Sequence, residues 1–176
     1  MCTEKSMLVV NGSFPGPVIR VQKGDTAYVT VHNNGTYNVT IHWHGVMQPR
    51  NPWSDGPEYV TQCPIPVGTS FTQEVILSEE EGTLWWHAHS DWTRATVHGA
   101  IIIEPADGSN YPFKKPDGEE IIVLADWFDG DVMTIMDTGL ITGAAFTEST
   151  AFLINGLPGA LYNCSASGMY TFYSTP

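Results

Sequence analysis

Two segments of this chain carry the same spacing of two histidines around one intervening residue. They are His42 with His44, and His87 with His89. In an extended strand every second side chain lies on the same face, so each segment is expected to project both imidazoles in one direction. If the two strands are neighbours in a sheet, all four imidazoles converge on one small volume. The pattern therefore predicts a metal centre, and copper is the first candidate because affinity for nitrogen-rich sites peaks at copper(II).

Short strand-like segments alternate along most of the chain with turns rich in glycine, proline and asparagine. The predicted strands are residues 7–10, 18–21, 26–32, 39–44, 70–77, 83–90, 96–104, 121–127 and 152–155. Several alternate polar with apolar side chains, as half-buried strands do, whereas 121–127 has the continuous apolar pattern of a buried strand. A helix is predicted only at 131–137, and the loop at 45–66 is long enough to suggest a functional role. This spacing predicts an antiparallel β-sandwich or barrel of about eight strands.

The balance of charge argues against two classes of partner. The formal net charge is -12, whereas nucleic acids and anionic membrane surfaces attract basic patches. No apolar run reaches the roughly 20 residues that a transmembrane helix needs, so the chain is not expected to span a membrane. Residues 1–5 show no apolar segment of a secretory signal. N-glycosylation triplets nevertheless favour a secreted protein whose signal is missing from this sequence, and they begin at Asn11, Asn34, Asn38 and Asn163.

The chain has three cysteines, Cys2, Cys63 and Cys164, and none belongs to a C-x-x-C pair. This spacing argues against a thiolate zinc site and against a dithiol redox motif. In an oxidising compartment an odd count leaves one cysteine without a partner inside the chain. Two arrangements stay open: a bridge between Cys2 and Cys164 that leaves Cys63 to pair elsewhere, or three separate buried thiols.

Longer stretches around the histidines resemble the signatures of plant laccases, which are multicopper oxidases. The matching stretches are an early turn at 11–17, then 42–45, 49–57 (PRNPWSDGP) and 61–65 (TQCPI) in the first signature, and 82–92 with 94–100 in the second. The match extends from about Cys2 to Cys164. A bare His-x-His would be weak evidence, but motifs of this length are specific.

The resemblance implies an all-β, cupredoxin-like Greek-key β-sandwich that forms the first domain of a larger enzyme. Residues 1–128 would be this domain, 129–164 a segment leading toward an absent second domain, and 165–176 a divergent, disordered tail. Enzymes of this family take single electrons from phenolic donors and reduce dioxygen to water, and they act outside the cell in the apoplast. The expected partners are therefore dioxygen, phenolic small molecules, and the missing laccase domains or another chain.

The same resemblance assigns roles to individual residues. His42 resembles a ligand of the type 2 copper, and His44, His87 and His89 resemble ligands of the paired type 3 coppers. Asp55 resembles an acidic residue that helps to deliver protons to reduced oxygen, a role that suits a carboxylate.

Other aromatic side chains have less specific interpretations. His32 and His98 lack a second histidine at the required spacing and are interpreted as structural. Trp43, Trp85 and Trp86 either pack around the imidazoles or fill the core, and the sequence does not favour one alternative.

The chain offers only half of the ligands that the family's copper cluster requires. In the family the other imidazoles come from the third domain, and the type 1 copper needs a cysteine thiolate with two histidines. No cysteine here is followed closely by a histidine, and Cys63 resembles a cysteine that bridges to the C-terminal domain. The expected function is therefore that of the copper-binding first domain of a laccase-type oxidase, inactive by itself.

Two alternative functions follow from the same residues. A non-catalytic copper-binding or partner-binding module would need another chain to complete the cluster. A mononuclear zinc or cupin-type site is disfavoured, because that pattern needs a glutamate soon after the first histidine pair and Glu58 lies too far along the chain.

Overall fold

The computed structural model describes residues 5–145 and 147–158. They form eight strands and one α-helix: β1 Ile19–Gln22, β2 Thr26–His32, β3 Ile41–His44, β4 Ser70–Ile76, β5 Gly82–Ala88, β6 His98–Glu104, β7 Leu124–Trp127, α1 Val132–Thr142 and β8 Ala151–Ile154. The predicted tail at 165–176, together with Asn163, Cys2 and Cys164, lies outside the described residues. The disulfide between Cys2 and Cys164 therefore stays a prediction.

The strands form three sheets. A four-stranded sheet has the order β1-β6-β5-β3, while β2 pairs with β4 and β7 pairs with β8. All pairs are antiparallel except β1 with β6, which run parallel. The predicted all-β architecture is confirmed, but the expectation of a purely antiparallel sheet is wrong for this pair. Parallel neighbours need a crossover, and the chain supplies it by visiting the β2–β4 sheet between β1 and β6.

The core lies between the four-stranded sheet and the β2–β4 pair. Alternate positions of β3, β5 and β6 supply most of its buried side chains, joined by two from β4 and its end: Ile41, Trp43, Trp86, Ala88, Ile101, Ile103, Val75 and Leu77. Residues of β2 pack against this cluster from the other sheet. Because successive side chains of a strand face opposite sides, this packing also decides which residues of β3 and β5 reach the outer face.

Two strand predictions are wrong in their details. Residues 7–10 form no strand, since Val10 makes only an isolated bridge with Ser13. The strand predicted at 121–127 begins at Leu124 and is not buried, because Ile122 and Leu124 are 67% and 73% exposed. An apolar run shows that a segment can be buried, but it does not show that a covering partner is present.

The helix is longer than the predicted segment 131–137. Asp131 caps its first turn, because the carboxylate accepts a hydrogen bond from the backbone N–H of Thr134 at 2.8 Å. Gly143, with φ +67°, ends the helix in the left-handed conformation that glycine adopts readily. No helix among the described residues has the length and apolar content needed to cross a bilayer.

The N-terminal segment connects the β7–β8 pair to the sandwich. The Nζ atom of Lys5 lies 5.0 Å from the centre of the Trp127 ring. The ring of Phe14 lies 5.6 Å from that of His98 and 6.2 Å from that of Trp127. The domain boundary expected at residue 128 stays a prediction, and it would fall between two paired strands.

Candidate metal centre

The register between β3 and β5 brings the two histidine pairs together. These strands are antiparallel neighbours, with His42 opposite His87 and Trp43 opposite Trp86. The two tryptophans lie in the core at 1% and 3% exposure, so the intervening histidines lie on the outer face. His89 directly follows the last residue of β5. The predicted proximity of the two histidine strands is therefore confirmed.

The four imidazoles lie close together on this outer face. The centre of the His42 ring lies 5.5 Å from that of His44, 5.3 Å from that of His87 and 5.4 Å from that of His89. Ring nitrogens of His42, His44 and His87 all lie within 4.8 Å of one another, close enough for the three side chains to hold a metal ion. His89 is outside this closest group, although its ring stacks 5.8 Å from that of His87.

Backbone carbonyl groups orient two of the imidazoles. Nδ1 of His42 lies 2.6 Å from the carbonyl oxygen of Asp55, and Nδ1 of His87 lies 2.8 Å from that of Ala88. Because a carbonyl oxygen only accepts, both Nδ1 atoms carry the hydrogen and donate it. In the neutral imidazole this hydrogen bond leaves Nε2 without a hydrogen. Metal-binding histidines are typically fixed in this way, by a hydrogen bond at the other ring nitrogen.

The nitrogens of His44 and His87 meet directly. Nδ1 of His44 lies 3.3 Å from Nε2 of His87. Since Nε2 of His87 carries no hydrogen, Nδ1 of His44 donates to it, and a bound metal ion would take the place of that proton. Metal–nitrogen bonds of about 2.0–2.1 Å are compatible with two ligand atoms at this separation. This all-nitrogen donor set fits a copper ion.

Burial keeps His87 uncharged at neutral pH. The side chain is 5% exposed, and its desolvation lowers its pKa from 6.5 to about 4. The hydrogen bond to the carbonyl of Ala88 opposes this shift, while the neighbouring His42, His44 and His89 add to it. Because a metal ion binds the neutral imidazole, His87 is ready to act as a ligand without first losing a proton.

Asp55 lies beside His42. Its carboxylate oxygen Oδ1 is 3.4 Å from Nδ1 of His42, farther than its own backbone carbonyl, and the side chain is half-buried. The backbone of Asp55 therefore holds the ring of His42 in place. The predicted role of the carboxylate in proton delivery stays a prediction.

The turn at Asp55 packs tightly against β3. Gly56 has φ +104°, and a Cβ atom there would lie 2.2 Å from the carbonyl oxygen of Ile41 and 2.8 Å from Cα of His42. Only glycine allows the turn to approach the strand this closely. The sequence showed a Ser-Asp-Gly-Pro turn here, but not that it lies flat on the histidine strand.

One carbonyl group anchors the same turn from inside. The carbonyl oxygen of Ser54 accepts hydrogen bonds from Nε1 of Trp43 at 2.9 Å, Nε2 of Gln48 at 3.1 Å and Nε2 of Gln73 at 3.0 Å. All four residues are buried. Sequence reasoning missed both glutamines, because neither belongs to a recognisable motif and their shared partner, the Ser54 carbonyl, is a backbone group.

The three tryptophans differ in role. Trp43 and Trp86 fill the core, whereas Trp85 lies on the histidine face at 42% exposure. The centre of its ring is 5.1 Å from that of His44 and 4.3 Å from that of His87. Of the two alternatives, core filling therefore holds for Trp43 and Trp86, and packing against the imidazoles holds for Trp85.

The remaining candidates lie away from the histidine cluster. His32 is exposed at the end of β2, and His98 is buried with Nδ1 donating to the carbonyl of Arg94 at 2.8 Å. Both positions agree with a structural role. Cys63 is exposed, so the alternative of three buried thiols is wrong for this residue. Glu58 does not join the three histidines, and the described part of the chain offers no other cluster of potential metal ligands this tight.

Comparisons with known proteins agree with this geometry. A family model described as multicopper oxidase matches residues 1–108. Laccase-21 of Oryza sativa subsp. japonica is 56% identical over 94% of this chain, and laccase-12 of Arabidopsis thaliana is 52% identical over 94%. The chain spans only 28% and 29% of these relatives' lengths. The crystal structure of the laccase from Botrytis aclada superimposes on 91% of this chain with a TM-score of 0.72 and 33% sequence identity, and the match covers 28% of the Botrytis chain. The predicted cupredoxin-like fold and the resemblance to laccases are confirmed.

The stability of the metal-free chain is expected to depend on pH through His87. Its pKa is about 4 in the folded chain and 6.5 in an ordinary environment, so between these values the unfolded chain binds the extra proton. The free energy of unfolding should therefore fall as the pH is lowered from 6.5 toward 4, by up to about 3 kcal/mol. Urea unfolding across this range measures the change.

His87→Gln provides the control, because it removes the buried imidazole and keeps a polar side chain at the same position. The variant should show a shallower loss of stability between pH 6.5 and pH 4 than the unaltered chain. Equal pH dependence of the two proteins would show that His87 is not the group responsible.

Gly56→Ala is expected to destabilise the chain through contact as well as backbone conformation. A matched control is Gly24→Ala, because Gly24 also has a positive φ, +95°, but has no atom within 4 Å of the added Cβ. Gly24→Ala should cost about 1–2 kcal/mol of unfolding free energy, and Gly56→Ala about 3 kcal/mol or more. Equal losses in urea unfolding would contradict the tight packing of the turn on β3.

Proposed function

This chain belongs to the multicopper oxidase family, and we propose that it is the copper-binding first domain of a laccase-type enzyme. The complete enzyme would oxidise phenolic donors by single electrons and reduce dioxygen to water. One observation carries the proposal: imidazoles from β3 and β5 converge on one side of the sandwich, with three of their nitrogens within 4.8 Å of one another.

We assign the four histidines to copper. His42 would be a ligand of the type 2 copper, and His44, His87 and His89 would be ligands of the paired type 3 coppers. The uncharged state of His87 and the carbonyl contacts that leave Nε2 of His42 and His87 unprotonated support this assignment. Bound copper would supply the one-electron redox chemistry that the side chains themselves lack.

The protein residues around the histidines would serve orientation and proton supply. The backbone carbonyl of Asp55 holds the His42 ring, and the half-buried carboxylate of Asp55 would deliver protons to the site. Trp85 packs against the His44 and His87 rings and restricts their movement. Both features favour imidazoles that are fixed before the metal arrives.

The catalytic unit would be larger than this chain. Four histidines supply half of the cluster, and the chain spans less than a third of the length of the laccases it matches. The remaining ligands, the electron-entry copper and the phenol pocket would come from the rest of a longer protein. Cys63 is exposed in the loop between β3 and β4, and it would be available for a bridge to the rest of the longer protein.

A second candidate is a non-catalytic copper-binding module completed by a separate chain. The exposure of the histidine face favours it, since Trp85 is 42% exposed and His44 is also exposed. Sedimentation with metal analysis separates the two candidates. A metal-free monomer would count against the separate module, and a copper-loaded assembly would support it.

We propose that the protein works outside the cell, in the apoplast, with lignin-type phenolics among its donors. The acceptor residues Asn11, Asn34 and Asn38 are all exposed, which supports a glycosylated, secreted protein. The protein isolated from its natural source should lose mass on glycosidase treatment, and an unchanged mass would argue against secretion.

The 176-residue chain is expected to bind copper(II) through its histidines. His44→Gln removes one of the three closest ligands and should weaken binding by about tenfold or more. His32→Gln is the matched control, because His32 is exposed and lies outside the cluster, and it should change nothing. Calorimetric titration with copper(II) measures both effects.

The same preparation tests the need for the missing ligands. Copper-loaded chain alone should not oxidise a phenolic dye, because half of the cluster is absent. Turnover by this preparation would overturn the view that the chain is incomplete as a catalyst, and failure to bind copper would overturn the assignment of the histidines.

A further inference from the structure

Gln73 hydrogen-bonds to the two residues that directly precede His42 and Asp55. It is a β4 residue with no exposed surface. Its Nε2 donates to the carbonyl oxygen of Ile41 at 2.8 Å and to that of Ser54 at 3.0 Å. Ile41 directly precedes His42, and Ser54 directly precedes Asp55. One amide group therefore links the backbone of the histidine strand to the backbone of the turn that orients the histidine.

The orientation of this amide is determined by its surroundings. If the group were turned over, Oε1 would face two carbonyl oxygens, so Nε2 must point toward them. Oε1 then has no hydrogen-bond partner among the described residues and is buried. A buried polar atom without a partner lowers stability, and an apolar side chain of similar size would avoid that cost. This cost offsets part of the stabilisation from the hydrogen bonds that Nε2 donates.

The other two donors to Ser54 hold the turn in different ways. Nε2 of Gln48 also donates to the carbonyl oxygen of Glu74 at 3.1 Å, so Gln48 links the turn to β4. Trp43 donates through a side chain that is itself part of the core. Trp43 belongs to β3 and so ties that strand to the turn through its indole. Among these three donors, Gln73 is the one that hydrogen-bonds both to the turn and to a backbone carbonyl of β3.

We propose that Gln73 is a positioning residue for His42: by holding the Ile41 and Ser54 carbonyls together, it fixes the Asp55 carbonyl against Nδ1 of His42. That contact is 2.6 Å long and keeps the hydrogen on Nδ1, which leaves Nε2 of the neutral ring available to bind a metal ion. Gly56 allows the turn to lie close to β3, and the two hydrogen bonds of Gln73 fix the position of the turn relative to that strand.

This inference rests on the proposed function only for its effect on copper. The position of the hydrogen on His42 can be measured without metal. Long-range proton–nitrogen NMR of the metal-free, nitrogen-15-labelled chain at a pH where the histidines are neutral distinguishes an Nδ1–H imidazole from an Nε2–H imidazole. His87 is an internal reference, because its Nδ1 donates to Ala88 at the end of its own strand.

The test compares Gln73→Met with Asn33→Leu. In each variant a side chain of similar size replaces a buried amide that donates to two backbone carbonyls. For Asn33, Nδ2 donates to the carbonyls of Tyr37 and Ile65. Gln73→Met should lower the ratio of Nδ1–H to Nε2–H His42 by about fivefold, the effect expected from losing one hydrogen bond. The His87 ratio should not change, and Asn33→Leu should leave both ratios unchanged.

Gln73→Asn is the second variant, for the case in which Gln73→Met does not fold. Its shorter side chain keeps the amide but cannot reach both carbonyls, so the His42 ratio should fall in the same direction. An unchanged His42 ratio in a folded Gln73 variant, or an equal change in Asn33→Leu, would overturn the proposal.

A copper(II) titration separates this proposal from the proposed function. Gln73→Met should weaken copper binding by about tenfold, the lower end of the effect known for residues that orient metal ligands. If the unaltered chain binds no copper, the proposed function fails, while the tautomer ratio still decides the role of Gln73.

Discussion

The two-residue period of β3 and β5, locked in register by the core, is the constraint on which the site depends. Trp43 lies opposite Trp86 inside the sandwich, and His42 lies opposite His87 outside it. A slip of one residue would exchange the two faces of these strands, moving the indoles out of the core and the imidazoles into it, so every contact in the core also opposes the misplacement of the histidines. The stability of the fold and the geometry of the site therefore come from the same packing.

Register alone brings the imidazoles together, but it does not orient their rings. Orientation comes from backbone carbonyl groups, supplied to His42 by the turn at Asp55 and to His87 by its neighbour Ala88. The long loop between β3 and β4 acquires a physical role in this way, because its turn lies on the strand and reaches one histidine from the side. Burial completes the arrangement by keeping His87 neutral, so that these residues are organised for a metal before one binds.

The sequence predicts those parts of the structure that repeat along the chain. Alternation identified β2 and β4, and the paired histidines identified two neighbouring strands and their shared face. It could not predict Gln73 or the contact made by Gly56, because both depend on segments that are distant in sequence and meet only after folding. The prediction of a buried strand at 121–127 was wrong, because hydrophobicity does not reveal whether a covering surface is present. The parallel pairing of β1 with β6 was also missed, because it depends on the path of the chain between the sheets.

We propose that imidazoles from two adjacent strands already form one wall of a copper site in this chain. Pulsed electron paramagnetic resonance of the copper(II)-loaded chain tests it most directly, because coupling to remote ring nitrogens counts the ligating histidines. At least two imidazoles are expected on bound copper. A spectrum with one imidazole or none, and with oxygen ligands instead, would contradict it.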